Sequence, residues 1–238
     1  MAIQRVGDFL EDTDLDGVLS IGIETNNLSN CVHEVKKRNA KGVFGSPSFG
    51  FKQDNLNFLT DLPYLEKIWF TEVNLIDIQG IYALKRLKHF GVLPKRPGID
   101  FSQLSNLEVL IWQFTEKDSG LEKLQNLKVF HTWHVNPKSK NMGEIVMPPS
   151  VIELQINWAN PTSLDGMPTM PNLKHLEIHR CRNLETIDAI IDIAPNLEFL
   201  VVTGCGKISG ADTVVNKIPN LRHAYVHNKL LISSFKNV

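Results

Sequence analysis

One pattern governs what this chain can fold into. A short apolar motif, with apolar residues at positions 1, 4 and 6, returns at nearly constant intervals. It reads Leu65, Ile68, Phe70; then Leu87, Phe90, Val92; Leu107, Leu110, Trp112; and Leu127, Phe130, Thr132. It continues as Val151, Leu154, Ile156; Leu173, Leu176, Ile178; Leu197, Leu200, Val202; and Leu221, Ala224, Val226. The first positions lie 22, 20, 20, 24, 22, 24 and 24 residues apart. Val18, Ile21 and Ile23 form an earlier copy, and the 47-residue gap to Leu65 leaves room for a degenerate copy within "AKGVFGSPSF". Apolar positions 4 and 6 alternate with polar ones, so each copy predicts a short strand with one buried face. Such a unit cannot bury its apolar side alone. Stacked copies share a continuous core and place their strands in a parallel sheet.

The LxxLxL spacing at this period resembles a leucine-rich repeat over nearly the whole chain. That resemblance implies an α/β leucine-rich repeat solenoid, a horseshoe with a parallel concave sheet and short helices or 3₁₀ turns on the convex side. The stretches "TIDAIIDIAPN" and "SGADTVVNKIPN" are expected to be helical turns, and "DFSQLSN" and "GLEKLQN" 3₁₀ turns. A single domain is expected over 1–238, with an N-terminal cap over 1–17, about ten repeats over 18–228 and a C-terminal cap over 229–238. Where the family usually carries asparagine, at position 9, this chain has mostly other residues, and its last copies resemble the cysteine-containing subclass through Cys181 and Cys205. The expected result is an irregular stack whose missing ladder is replaced by backbone or water. The two cysteines are expected as small buried thiols of neighbouring turns, not as a disulfide. The Pro-, Gly- and Lys-rich stretches Val92–Asp100 and Asn136–Ser150 read as loops, the second lying over one edge of the open face or standing as a loose ridge.

The totals narrow the function classes. The chain is 238 residues long, 42% hydrophobic and 21% charged, with a formal net charge of −1. No charge excess calls for phosphate. No apolar run is long enough to span a membrane, and the first residues do not read as a secretory signal. Three cysteines without a CxxC pair fit a reduced, cytoplasmic protein.

The register set by the leucines assigns positions 2, 3, 5, 7 and 8 to the open, concave face. Seven of the eight histidines fall there, as do Trp69, Trp133 and Trp158. The candidate protein-binding residues are Trp69, His131, Trp133, His134, Trp158, His175, Glu177, His179, Arg180, Tyr225 and His227. A metal site is not expected, because His175 and His179 are separated along one strand and zinc needs its ligands about 2.0–2.1 Å from one point. No nucleophile motif or phosphate loop is present, so neither catalysis nor a cofactor is expected. Acidic and basic residues nearly balance on this face, which argues against nucleic acid. What remains is a non-catalytic protein-binding module. By analogy of size and architecture it resembles the stand-alone repeat proteins that act as inhibitors or immunity proteins against toxins. The alternative is an adaptor or substrate-receptor repeat domain of a signalling or ubiquitin-ligase-like assembly.

Overall fold

The computed structural model describes residues 3–233. Met1, Ala2 and the end of the expected C-terminal cap, residues 234–238, lie outside the described residues. Thirteen strands form a sheet in which strand order is chain order. Few helices accompany them, and the sheet is mostly parallel, an arrangement compatible with a repeat solenoid. The chain groups into two compact units, residues 1–110 with 117–120, and residues 111–116 with 121–238.

The first unit opens with strands β1 (Gln4–Val6), β2 (Phe9–Thr13) and β3 (Leu19–Gly22), each antiparallel to the one before. Helix α1 (Leu28–Lys37) then buries Cys31 and Val35 on one side and leads into β4 (Gly42–Gly45). Strands β4, β5 (Lys67–Asn74) and β6 (His89–Lys95) run parallel to β3. The pairing of Gly42 with Lys67 fixes the register of the degenerate copy: Ala40 is position 1, Val43 position 4 and Gly45 position 6. Gly45 is obligatory for reasons of space. A Cβ there would approach Phe70 to 2.9 Å and Phe51 to 3.0 Å. Those two rings pack at 4.8 Å between centroids and occupy the space beside Gly45.

The expected loop at Val92–Asp100 is corrected in its first half. Residues Val92–Lys95 continue β6, paired with a lengthened β5. The remainder is held by a buried ion pair that sequence reading missed. Arg96 meets both carboxylate oxygens of Asp118 at 2.7 Å, with each side chain 1% exposed. Asp118 also accepts the Ile99 N–H, and Arg96 donates to the Pro97 carbonyl. A planar guanidinium suits this two-point contact, and the additional hydrogen bonds offset part of the desolvation of both charges.

The chain passes to the second unit within β7 (Val109–Gln113). Strands β8 (Val129–Trp133), β9 (Glu153–Asn157), β10 (His175–His179), β11 (Phe199–Thr203) and β12 (His223–Val226) are parallel and in strict register, each copy aligned position for position with the next. Strand β13 (Lys229–Ser233) returns antiparallel through the two-residue turn His227–Asn228, where φ is 49° and 62°. Two left-handed residues in a two-residue hairpin define the turn whose twist matches its strands. Positions 4 and 6 are buried in every parallel copy of this unit. Thr132, the one polar residue among them, is fully buried and donates its hydroxyl to the Gln155 carbonyl. The crossovers carry α2 (Ile190–Ile193) and α3 (Ala211–Val215), with 3₁₀ turns at Phe101–Leu104 in the first unit and Leu121–Lys123 in the second, where the spacing predicts them. The segment Asn136–Ser150 is not a loose ridge: Met142, Ile145 and Met147 are buried, and Ser150 caps the Leu124 and Leu127 carbonyls.

Two ladders lock the copies together where each strand begins. The carbonyl at position 2 accepts two N–H groups, from positions 2 and 3 of the next copy. Lys128 serves Ile152 and Glu153 in this way, Ile152 serves Lys174 and His175, Lys174 serves Glu198 and Phe199, and Glu198 serves Arg222 and His223. An asparagine ladder also exists, one residue before position 1 instead of at position 9. Asn172, Asn196 and Asn220 donate to the carbonyls of Pro149, Pro171 and Pro195, and Asn106 donates to Lys85 in the first unit. At position 9 the thiols take over part of the expected role. Cys181 contacts the Ile156 carbonyl at 3.7 Å and Cys205 the Ile178 carbonyl at 3.8 Å. Both thiols are free and buried. The Cys205 thiol beside it, together with burial, pushes the Cys181 thiol far above its ordinary range.

Candidate functional site

The open face of the second unit is built from positions 3, 5 and 7 of consecutive strands, which alternate with the buried positions 4 and 6. Rows of side chains therefore run across the strands about 4.8 Å apart. In the position-3 row, His175, Phe199 and His223 follow one another, with ring centroids 5.7 and 6.3 Å apart and planes tilted by 33° and 32°. Ten of the eleven candidate residues belong to this unit. Trp69 belongs to the first, half-buried on β5 between Phe44 and Gly91 in register.

At the centre of the face lies Glu177. Its Oε1 contacts His175 Nε2 at 2.9 Å, and its Oε2 contacts His179 Nε2 and Gln155 Nε2, both at 2.7 Å. Burial alone would raise this carboxyl. The hydrogen bonds from His179, Gln155 and His175 outweigh it and hold the group below its ordinary value. His179 completes its contacts through Nδ1 to the Thr203 hydroxyl at 2.7 Å. His131 Nε2 contacts Glu153 at 2.9 Å. Asn157 is buried within the face and donates to the Thr132 carbonyl and to Gln155 Oε1. The two histidines of β10 reach toward each other and share the carboxylate between them. Their rings and the carboxylate are thus already oriented before anything binds. No group of three or more metal-ligating side chains is assembled among the described residues.

Position 8 departs from the expectation that it shares the strand face. Every parallel strand of this unit from β8 to β11 ends at position 7. His134, Trp158 and Arg180 lie one residue beyond, in the left-handed region, with φ of 55°, 56° and 57°. Gly204 occupies the same position in the next copy with φ of 68°. A side chain with a Cβ pays about 1–2 kcal/mol for that conformation. Each of the three stays tied to the next strand: the His134 N–H donates to Asn157 O, the Trp158 N–H to His179 O, and the Arg180 N–H to Thr203 O. The side chains are turned out into a rim along the strand ends. His134 lies 6.3 Å from Trp133 and 6.1 Å from Trp158 between ring centroids, so the predicted aromatic cluster is brought together. The Arg180 guanidinium sits 4.8 Å and the Arg182 guanidinium 5.7 Å from the Trp158 centroid. Arg182 is absent from the sequence-based set. Its only clue is that it stands two residues after Arg180.

One further candidate is placed differently from expectation. His227 is not on a strand but in the β12–β13 turn, where its ring contacts the Ile208 carbonyl at 3.1 Å. Tyr225 remains half-buried on the face of β12, beside a register shift in its pairing with β13. Several position-2 charges are occupied by one another: Lys174 meets Glu198 at 3.0 Å, and Arg222 meets Glu198 at 3.4 Å. They satisfy their neighbours at the opposite end of the strands.

No helix among the described residues is long and apolar enough to cross a membrane. No family model and no curated protein matches the chain.

Proposed function

We propose that this chain is a leucine-rich repeat protein that binds another protein through the open strand face and rim of its second unit. The observation that carries the reading is the assembly of Trp133, His134, Trp158 and Arg180 at the strand ends, beside an oriented His175–Glu177–His179 network. Tryptophan and arginine dominate binding hot spots, and partly exposed aromatic clusters mark interaction surfaces. The mechanism is occlusion: the partner's working surface is covered, and this chain contributes shape and hydrogen bonds with no covalent chemistry. An inhibitor or immunity protein directed against a toxin fits that mode of action. Polar groups held in place before binding favour it, because less side-chain entropy is lost on association.

The test is a tagged pull-down from the source organism's lysate, run beside a Trp133→Ala/Trp158→Ala variant with mass spectrometry as the readout. A stoichiometric partner captured by the native chain and lost by the variant is expected. A partner retained in full by the variant moves the binding surface elsewhere and ends this reading.

A further inference from the structure

We infer that the rim is a carboxylate-binding anchor: Arg180 and Arg182, both over the Trp158 ring, take an acidic side-chain cluster of the partner protein. This rests on the protein-binding reading and specifies the partner's chemistry.

Three observations carry it. First, the two guanidiniums share one indole. Among the described residues, neither makes an ion pair or a side-chain hydrogen bond, while Lys174 and Arg222 at the other end of the strands both engage Glu198. Two like charges gathered about one ring repel, and an anion brought to them relieves that repulsion. A guanidinium whose N–H fork makes no other hydrogen bond can bind a carboxylate at two points.

Second, the backbone favours a different sequence here. After strands β8 to β11 position 8 is left-handed, and Gly204 adopts that conformation without strain. Trp158 and Arg180 hold the same conformation with side chains that disfavour it. Strain of this kind, retained at bulky residues on an exposed rim, points to a use for those side chains.

Third, the surroundings select the type of anion. Glu177 and Glu153 lie on the adjoining strand face, where they are engaged by histidines. A discrete acidic side chain can dock on the rim while a mixed protein surface covers the face. A continuous polyanion lying across the strands would meet those carboxylates.

The probe is a blocked tetraglutamate peptide, titrated into the full chain while the indole N–H resonance of Trp158, assigned through Trp158→Phe, is followed by NMR. Blocked tetralysine and a short DNA duplex are the comparison ligands. The expected result is a saturable shift of the Trp158 resonance with tetraglutamate, without a matching shift of the buried Trp112. The affinity should fall at least ten-fold in Arg180→Ala/Arg182→Ala. It should also fall in Arg180→Lys/Arg182→Lys, which keeps the charge but not the fork. Both sites are exposed, so the variants should fold, and a native-like spectrum checks that they do. Absence of a saturable shift, full affinity in the alanine pair, or tighter binding of the duplex than of the peptide overturns the inference. Capture of a partner that depends on Trp133 and Trp158 but is indifferent to both arginines would overturn this inference alone and leave the protein-binding reading standing.

Discussion

Glycine is normally worse than alanine in extended structure by about 0.5–1 kcal/mol, because it loses more backbone freedom on folding. At position 8 the order should reverse. Arg180 has φ of 57°. In Arg180→Ala the left-handed strain remains, about 1–2 kcal/mol, and the cation–π contact with Trp158 is lost, about 0.5–1 kcal/mol at an exposed site. In Arg180→Gly the same contact is lost but the strain disappears, against an entropy cost of about 0.5–1 kcal/mol. The glycine variant should therefore be the more stable of the two, by about 1 kcal/mol. Gly204→Ala runs the comparison in the other direction. Its new Cβ would adopt φ of 68° and lie 3.1 Å from Arg180 Cγ and 3.3 Å from Arg180 Cα. The Cγ can move and the backbone cannot, so a loss of about 1 kcal/mol is expected after allowing for the stiffer unfolded chain. Urea unfolding followed by far-UV circular dichroism measures all three, with Val201→Gly against Val201→Ala as the strand control. If alanine is better than glycine at both 180 and 201, the left-handed rim does not exist and the strain argument built on it fails.

Other parts of the molecule make sharper demands. Removing one partner of the buried pair, by Arg96→Ala or Asp118→Ala, leaves an uncompensated charge and should cost about 3–5 kcal/mol. The double change Arg96→Met/Asp118→Leu should recover most of it, which urea midpoints will show. The Glu177 carboxyl is held below its ordinary value of 4.5, so its contribution is fully present above that pH and is lost as pH falls through the depressed value. The acid limb of the stability profile should flatten in Glu177→Gln; an unchanged limb refutes the role. Burial, aided by Lys67, lowers His89 from its ordinary 6.5, so stability is complete above that pH and declines as acid charges the ring. An NMR titration of His89 with a midpoint at or above 6.5 contradicts this. Asn196→Ala removes one rung of the entrance ladder and should cost about 1 kcal/mol.

The strands and their buried positions were legible because two periods coincide: alternation within each copy and a spacing of 20–24 residues between copies. Either alone would leave the register ambiguous. The copy at residues 40–51 carries no legible register because Gly42 and Gly45 stand at strand positions, while the bulk comes from Phe51 beyond the strand and from Phe70 of the next copy. The asparagine ladder was visible in principle, as Asn106, Asn172, Asn196 and Asn220 all stand immediately before position 1. The rim was hidden by its own composition. Only Gly204 signals a left-handed residue, and His134, Trp158 and Arg180 read as ordinary face positions. The Arg96–Asp118 pair joins residues 22 apart in connections with no repeat pattern. No periodicity could have announced it.

The double hydrogen bond to each position-2 carbonyl has a consequence for how such a chain can change. Each turn of the second unit is clasped at its entrance by its neighbour, while the crossovers absorb differences of two to four residues. A whole copy can therefore be duplicated or excised within a unit without altering the reading frame of the others. A single residue deleted inside a strand is the damaging edit, since it exchanges the buried and open faces of that turn. Growth by entire copies, with freely drifting crossovers and face residues, is the route this architecture leaves open to variation.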